Sequence, residues 1–222
     1  MPVAEPIDDP PLPVLMPLGD NALLVRFAEA LSDRANAAAI EFARHVRTLE
    51  LPGVTEVVPN LVSVLLRYDP VRIDFAALAG EVRLALWGGI PAGAMGREWA
   101  IRVHFAGPDL PEVAGLLGLN VADFVAAHNQ KPLRVLATGF APGFVYCGLH
   151  EPGLVVARRD AVRSEVPAGS VLFAAGQTAI AATAMPTGWH VIGSTSFRNF
   201  DPEAEPPTQL TAGDTVRFEA AP

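Results

Sequence analysis

Gly and Pro recur throughout the stretch from Thr138 to Thr195, and no helical period survives there. Gly costs a helix interior about 1 kcal/mol and Pro about 3 kcal/mol, so this composition opposes helix and favours short extended runs joined by turns. The side chains between the turns are not plain filler. Aromatics stand beside the glycines at Phe140, Phe144, Tyr146 and Trp189, and Pro142 lies inside the same G-F-A-P-G-F turn. Three arginines cluster at Arg158, Arg159 and Arg163, and Gln177 stands inside a small, apolar run. Turn chemistry, aromatics and guanidinium groups gathered this way build a pocket wall or an interface.

The rest of the second half fits the same reading. Short apolar runs at Leu133–Thr138, Leu154–Ala157, Val171–Ala175, Ala179–Ala182, His190–Gly193 and Thr215–Phe218 predict strands of a closed β-barrel over residues 97–222. Two short helices precede them. Asp109 and Pro111 open one, and Asn120 caps another through His128, with Asp123 placed as in a capping box.

The first half has a different rhythm. Ala22–Phe27 reads as a strand, and Ser32 caps a helix whose Ala35, Ala39, Phe42, Val46 and Leu49 share one face. Pro52 and Gly53 end that helix, and Val54–Val58 and Val62–Tyr68 form two further strands around a Pro59–Asn60 turn. Asp74 caps a second helix that buries Phe75, Leu78, Val82 and Leu86. With Trp99–Phe105 as candidate last strand, the order is that of a split βαβ, or ferredoxin-like, α/β domain over residues 13–92. The chain is thus expected to be α+β, with Gly88–Gly96 as linker and a disordered, acidic, Pro-rich tail over residues 1–12.

Composition excludes several roles. A net charge of −8 opposes broad electrostatic binding to nucleic acid or to an anionic membrane. No apolar run reaches the roughly 18 residues of a membrane span. Cys147 stands alone, so no intrachain disulfide forms, and the start lacks the basic and apolar regions of a secretory signal. A cytoplasmic protein is expected. The chain has no P-loop, no dinucleotide fingerprint, no H-E-x-x-H and no paired C-x-x-C, so nothing in it supports a cofactor or metal site of its own. Its one lysine, Lys131, lacks the flanking methionines of a biotinyl acceptor.

The candidate site residues follow from their chemistry. Arg158, Arg159 and Arg163 suit bidentate capture of a carboxylate or phosphate, with ion pairs to Asp160 and Glu165 as the competing use. The amide of Gln177 must find partners if buried, either across a strand pair or on a ligand. Phe140, Pro142, Phe144, Tyr146 and Trp189 would form an apolar pocket lip, or else a barrel corner. His128 sits near a helix C-terminus, where the dipole favours it, and remains a site candidate. A Cys147–His150 nucleophile and base, or a Ser170–His190 pair, exists on spacing alone and lacks a supporting motif.

These segments also carry a resemblance. P-L-G-D-x-A-L-L-V-x-F at Pro17–Phe27, L-P-G-V-x-E-V-V-P at Leu51–Pro59 and G-F-A-P-G-F-x-Y at Gly139–Tyr146 occur in order. So do A-R-R-x-x-V-R-x-x-V-P-A-G-S-V at Ala157–Val171, G-Q-T at Gly176–Thr178, G-W-x-x-I-G-x-T at Gly188–Thr195 and G-D-x-V-R-F at Gly213–Phe218. The set is similar to the family that includes the B subunit of 5-oxoprolinase, KipI and the first subunit of allophanate hydrolase. The resemblance implies an N-terminal α/β domain and a C-terminal cyclophilin-like β-barrel. It implies work beside partners resembling the A and C subunits of 5-oxoprolinase, opening the small anionic substrate 5-oxoproline to glutamate. ATP would then be bound with or by those partners. It also leaves two other roles open: inhibition of a histidine kinase, as by KipI, or a carboxyltransferase component of a biotin-dependent urea carboxylase. The chain departs from the family's usual pattern at Val145, Thr187 and Ser194, and an arginine missing at Ser194 removes one anion contact.

Overall fold

Residues 13–89 and 96–221 are described by the computed structural model. The expected tail, and residues 90–95 of the expected linker, lie outside them. The chain divides into two compact units, with the boundary at 93/94.

The first unit contains β1 (Val14–Pro17), β2 (Ala22–Arg26), α1 (Asp33–Leu49), β3 (Val54–Pro59), β4 (Ser63–Tyr68) and α2 (Phe75–Trp87). Its sheet has the order β1-β2-β4-β3 with every neighbouring pair antiparallel. Strand β4 lies between β2 and β3 and runs antiparallel to both. The fourth strand differs from expectation. It is β1, hydrogen-bonded along β2, and not the segment after α2. Both helices start as their caps dictate: Ser32 Oγ accepts from Ala35 N at 3.2 Å and Asp74 Oδ1 from Ala77 N at 2.8 Å. The first ends at Glu50 in the left-handed region, before Pro52 and Gly53 are reached. Ala39, Phe42 and Val46 of α1 pack with Leu78 and Val82 of α2 on Leu23, Val25, Val64 and Leu66 of the sheet.

The second unit contains β5 (Glu98–Val103), α3 (Leu110–Leu116), α4 (Val121–His128), β6 (Leu133–Thr138), β7 (Val145–Gly148), β8 (Arg163–Val166), β9 (Ser170–Ala174), β10 (Gln177–Ile180), β11 (Met185–Thr187), β12 (His190–Ser194) and β13 (Thr215–Ala220). Seven strands form one sheet in the order β12-β9-β10-β7-β6-β13-β5, and β8 pairs with β11 in a separate ribbon. The strand at Glu98–Val103 therefore belongs here, parallel to β13. The sheet curls until its edges meet. His104 N donates to Ser194 O at 2.8 Å, Ser194 N to His104 O at 3.1 Å, and Gly107 N to Ile192 O at 3.1 Å. Glycines allow this approach, since a Cβ at Gly193 would lie 2.6 Å from His104 O and one at Gly107 2.2 Å from Val191 O.

Strands β9 and β10 are buried along their whole length. On one side Val171, Phe173 and Ile180 join Val135, Val145, Ile192 and Phe218 in the inner core, with Val113 and Phe124 of the helices. On the other, Leu172, Ala174 and Ala179 meet Phe144, Val166, Met185 and Trp189. Burial on both faces explains why these runs read as continuously apolar and not as alternating. The expected strand at Leu154–Ala157 is absent. Leu154 and Val156 are core residues, but the segment joins no ladder; its backbone bonds are single ones, Leu154 N to Glu151 O at 2.8 Å and Ala175 N to Val156 O at 2.7 Å. Three strands were not anticipated in this half: β7, β8 and β11.

Candidate functional site

The aromatics of the G-F-A-P-G-F turn come together with Tyr146 and Trp189 in one continuous ladder. Phe140 meets Phe144 at 5.8 Å between ring centroids, Phe144 meets Tyr146 at 4.8 Å, and Tyr146 meets Trp189 at 5.9 Å, all edge-on. The guanidinium of Arg158 lies over the Trp189 ring at 5.7 Å. Phe144 and Trp189 are buried, whereas Phe140 is 77% exposed and held at φ 80°. A bulky residue held at positive φ with its ring in solvent marks a turn shaped for contact. Pro142, in the same turn, is exposed. The phenol of Tyr146 is pushed above its ordinary range by burial, with the Arg158 charge opposing.

The three arginines separate. Arg159 Nη1 donates to Asp109 Oδ1 at 2.8 Å, and Arg163 Nη2 donates to both Asp109 oxygens at 2.8 and 3.0 Å. Val191 N also donates to Asp109 Oδ2 at 2.8 Å. The carboxylate of Asp109 thus ties the β8 region to β12; Asp109 stands at the N-cap of α3 with Pro111 in its first turn, as expected, but its side chain makes no capping bond there. The competing partners Asp160 and Glu165 are not the ones used. Among the described residues Arg158 alone of the three has no carboxylate within ion-pair distance. It also borders a surface groove of about 550 Å³.

His128 lies elsewhere, in the inner core. Its Nε2 is 2.8 Å from Thr178 Oγ1, and His150 Nε2 is 2.8 Å from the same oxygen. His128 Nδ1 is 2.7 Å from Asn129 Oδ1. With that amide oxygen accepting, His128 carries its proton on Nδ1, Thr178 donates to His128, and His150 donates to Thr178. Phe105, Phe124, Phe173 and Phe218 surround the His128 ring. Burial pushes His128 down to about 4. It pushes His150 down to about 3, with the fields of His128 and Lys131 adding to it. Both rings are neutral at pH 7.

Gln177 sits at the start of β10, with only 9% of its surface open. It pairs with Gly148 on β7 and Ala174 on β9. Thr178 follows it and faces the histidines inside the barrel, so Gln177 faces the outer side with Ala179 and Tyr146. No side-chain hydrogen bond to Gln177 occurs among the described residues.

The two nucleophile pairs allowed by spacing do not form. Burial raises the Cys147 thiol to about 12, and His150 pairs with Thr178 instead of Cys147. Ser170 Oγ donates to Pro167 O at 2.7 Å, and His190 Nε2 lies 3.0 Å from Ala157 O. Among the described residues no cluster of three or more His, Cys, Asp or Glu is placed to hold a metal ion. Nor is any single helix among them long and apolar enough to cross a membrane. Asp109 and Thr178 are the structural hubs that sequence reading undervalued. Thr178 was visible only as the last letter of the G-Q-T motif, and Asp109 only as a helix opener.

The chain thus comprises two α/β units, the second with a curled sheet that carries the aromatic ladder. The sequence model of the family described as carboxyltransferase domain, subdomain C and D, matches residues 13–210. The chain belongs to that family, and relatives it matches there are named as the B subunit of 5-oxoprolinase. It is 31% identical over 221 residues to that of Bacillus subtilis (strain 168), covering 90% of each chain. It is 35% identical over 179 residues to that of Escherichia coli O157:H7, covering 78% of this chain and 80% of the relative. Among solved structures, TTHA0988 matches with a TM-score of 0.80 and 35% identity over 90% of this chain. This chain spans only 40% of that longer one. The K. lactis urea amidolyase, at 17% identity and a TM-score of 0.75, covers 94% of this chain and shares the fold; the match takes up 15% of the amidolyase.

Proposed function

We propose that the chain is the B subunit of an ATP-dependent 5-oxoprolinase, contributing a substrate-binding face completed by partners resembling the A and C subunits. The observation that carries this is Arg158: a guanidinium stacked on Trp189, free of carboxylates among the described residues, at the end of an aromatic ladder. A small planar ring bearing one carboxylate matches that combination. The naming of the relatives supports the complex. Cytoplasmic placement and a cyclophilin-like description of the curled sheet go with this reading.

The chemistry divides between the subunits. A lactam resists attack because its nitrogen lone pair is delocalised into the carbonyl. Phosphoryl transfer from ATP to the lactam oxygen activates the carbon, and water adds there. The C–N bond then breaks, with its electron pair and a proton going to nitrogen. A second water releases phosphate from the resulting acyl phosphate. This chain brings no phosphate-binding loop in its sequence, so the nucleotide is assigned to the partners. Its own task is to fix the carboxylate through Arg158 and the ring through Tyr146 and Trp189.

The test is reconstitution. The chain and its two partners, mixed with ATP and 5-oxoproline, are expected to release glutamate, while the chain alone does not. In that mixture Arg158→Ala should raise KM for 5-oxoproline about 10- to 100-fold with kcat little changed, the signature of lost ground-state binding. Full activity of the lone chain, or an unchanged KM, would sink the assignment. Capture of a biotin carrier or a histidine kinase in place of the two partners would point to the carboxyltransferase or KipI-like alternative.

A further inference from the structure

The segment Leu154–Ala157 has the side-chain pattern of a strand without a strand beside it. Leu154 and Val156 are buried, whereas Val155 and Ala157 between and after them are exposed. One edge is engaged, since Val156 O accepts from Ala175 N. In an extended chain the backbone groups of Val155 and Ala157 point the other way. On that side Ala157 O accepts from His190 Nε2 at 3.0 Å. Among the described residues the N–H and C=O of Val155 and the N–H of Ala157 have no partner. Because a carbonyl only accepts, His190 carries its proton on Nε2, and its Nδ1 is a further acceptor, buried and unpartnered. The segment and His190 line a groove of about 550 Å³ together with Glu112 and Leu116 of α3. Val155 is 55% exposed and Leu116 62%, so two large apolar side chains stand open in the same groove. Its charges nearly cancel: Glu112 lies 3.6 Å from Arg159, and Arg158 and Asp160 are of opposite sign.

We propose that Val155–Ala157 is an open strand edge that takes up an extended, largely uncharged segment of a partner protein as one more strand. Two N–H groups and a C=O on one side of an extended chain match the main chain of another strand. Main-chain bonds supply the affinity, and the apolar walls at Val155 and Leu116 select apolar side chains at alternate positions of the incoming segment. The balanced charge of the groove disfavours a strongly acidic or basic tail. A second copy fits poorly. In a twofold pairing each segment would have to enter the other's groove while α3 stands beside its own free edge, so the occupant comes from a different surface. This chain spans only 40% of TTHA0988, so a module of this fold occurs there continuous with further protein. The identity of the occupant, a segment of one of the two partners resembling the A and C subunits, rests on the reading above. The open edge does not. Arg158 and the aromatic ladder are left to the substrate.

The experiment follows amide hydrogen exchange at single residues in the full chain, alone at rising concentration and then with each of the two partners. Val155 and Ala157 should exchange freely in the lone chain and at least about 10-fold more slowly when the right partner is bound. Ala157→Pro removes an N–H that bonds to nothing in the free chain, so its melting temperature should match wild type while its Kd for that partner rises about 10- to 100-fold. Leu116→Glu, which places a charge on the groove wall and leaves the strand backbone intact, should weaken binding by a similar factor. Val71→Glu, at an exposed residue of the first unit, should not. Glutamate release by the two groove variants should return to the wild-type rate when the partner is added in excess, because they impair assembly and not chemistry. An active complex with both amides unprotected and both variants binding like wild type overturns the inference and leaves the functional reading standing. Protection that appears on concentrating the lone chain overturns it in favour of a second copy. Protection by one partner without glutamate release supports it and removes the oxoprolinase assignment. No binding by either partner refutes both.

Discussion

Among single residues, the arginine cluster illustrates what a side chain's neighbours decide. Three guanidinium groups close in sequence have the same chemistry, yet two converge on the buried carboxylate of Asp109 and one is left at the surface. Removing the charge at Asp109 would leave Arg163 without its counter-ion and Arg159 with only the longer pair to Glu112 at 3.6 Å, and would weaken the bond from Val191 N. Asp109→Asn should destabilise the fold by about 2 kcal/mol, below the roughly 3–5 kcal/mol of a fully buried pair because both arginines keep partial solvent contact. A urea titration reads this as a lower midpoint at unchanged slope; a midpoint equal to wild type would show that the cluster is not structural. The cluster itself was legible in the sequence. Which arginine stayed free was not, because Asp109 lies 50 residues from Arg159 and 54 from Arg163, and nothing local announces that pairing.

Among the elements, caps and apolar periods placed both helices of the first unit and most of their buried faces, although Leu49, at the end of α1, is 40% exposed and Phe75 and Leu86 are only half-buried. Phe42, Val46, Leu78 and Val82 are all in the core as their spacing required. Sheet membership was harder, because a strand's sequence records its burial and not its neighbour. The Trp99–Phe105 run has the pattern of a strand wherever it pairs, and β13 rather than the first sheet received it. Leu154–Ala157 failed for the opposite reason: two buried side chains satisfied the apolar pattern without a ladder beside them. The seam of the curled sheet gives a test among elements. Gly193→Ala would push a methyl to 2.6 Å from the His104 carbonyl oxygen. It should cost about 2–3 kcal/mol, whereas Gly153→Ala, with nothing within 4 Å of its added carbon, should be near neutral. Equal thermal shifts for the two variants would mean that the seam yields freely.

For the molecule as a whole, the inner core of the second unit fixes how stability responds to pH. His128 and His150 share Thr178 and stay neutral when folded, at pKa values of about 4 and about 3, against 6.5 when unfolded. A folded value below the unfolded one means that the unfolded chain binds protons first as pH falls. Stability is therefore complete above about pH 6.5 and declines below it, each histidine costing about 1.4 kcal/mol per pH unit until its folded pKa is reached. Urea midpoints should fall steeply between about pH 6.5 and pH 4, and His150→Leu should flatten that slope; a slope unchanged by the substitution would place the acid sensitivity elsewhere.

What the linear chain dictated is local: the caps, the helix faces, the turns that Gly and Pro impose, and a family signature spread over both halves. Those depend on neighbours within a few residues, where backbone sterics and side-chain period act directly. Folding in three dimensions was needed to make β1 complete the first sheet and β5 close the second. It was needed too for His128 to meet Thr178, and for Arg158 to lie over the Trp189 ring. Each of these is a pairing across many residues. Such pairings are chosen by which edges, charges and amides remain unsatisfied once the chain has collapsed, and no local pattern carries that information.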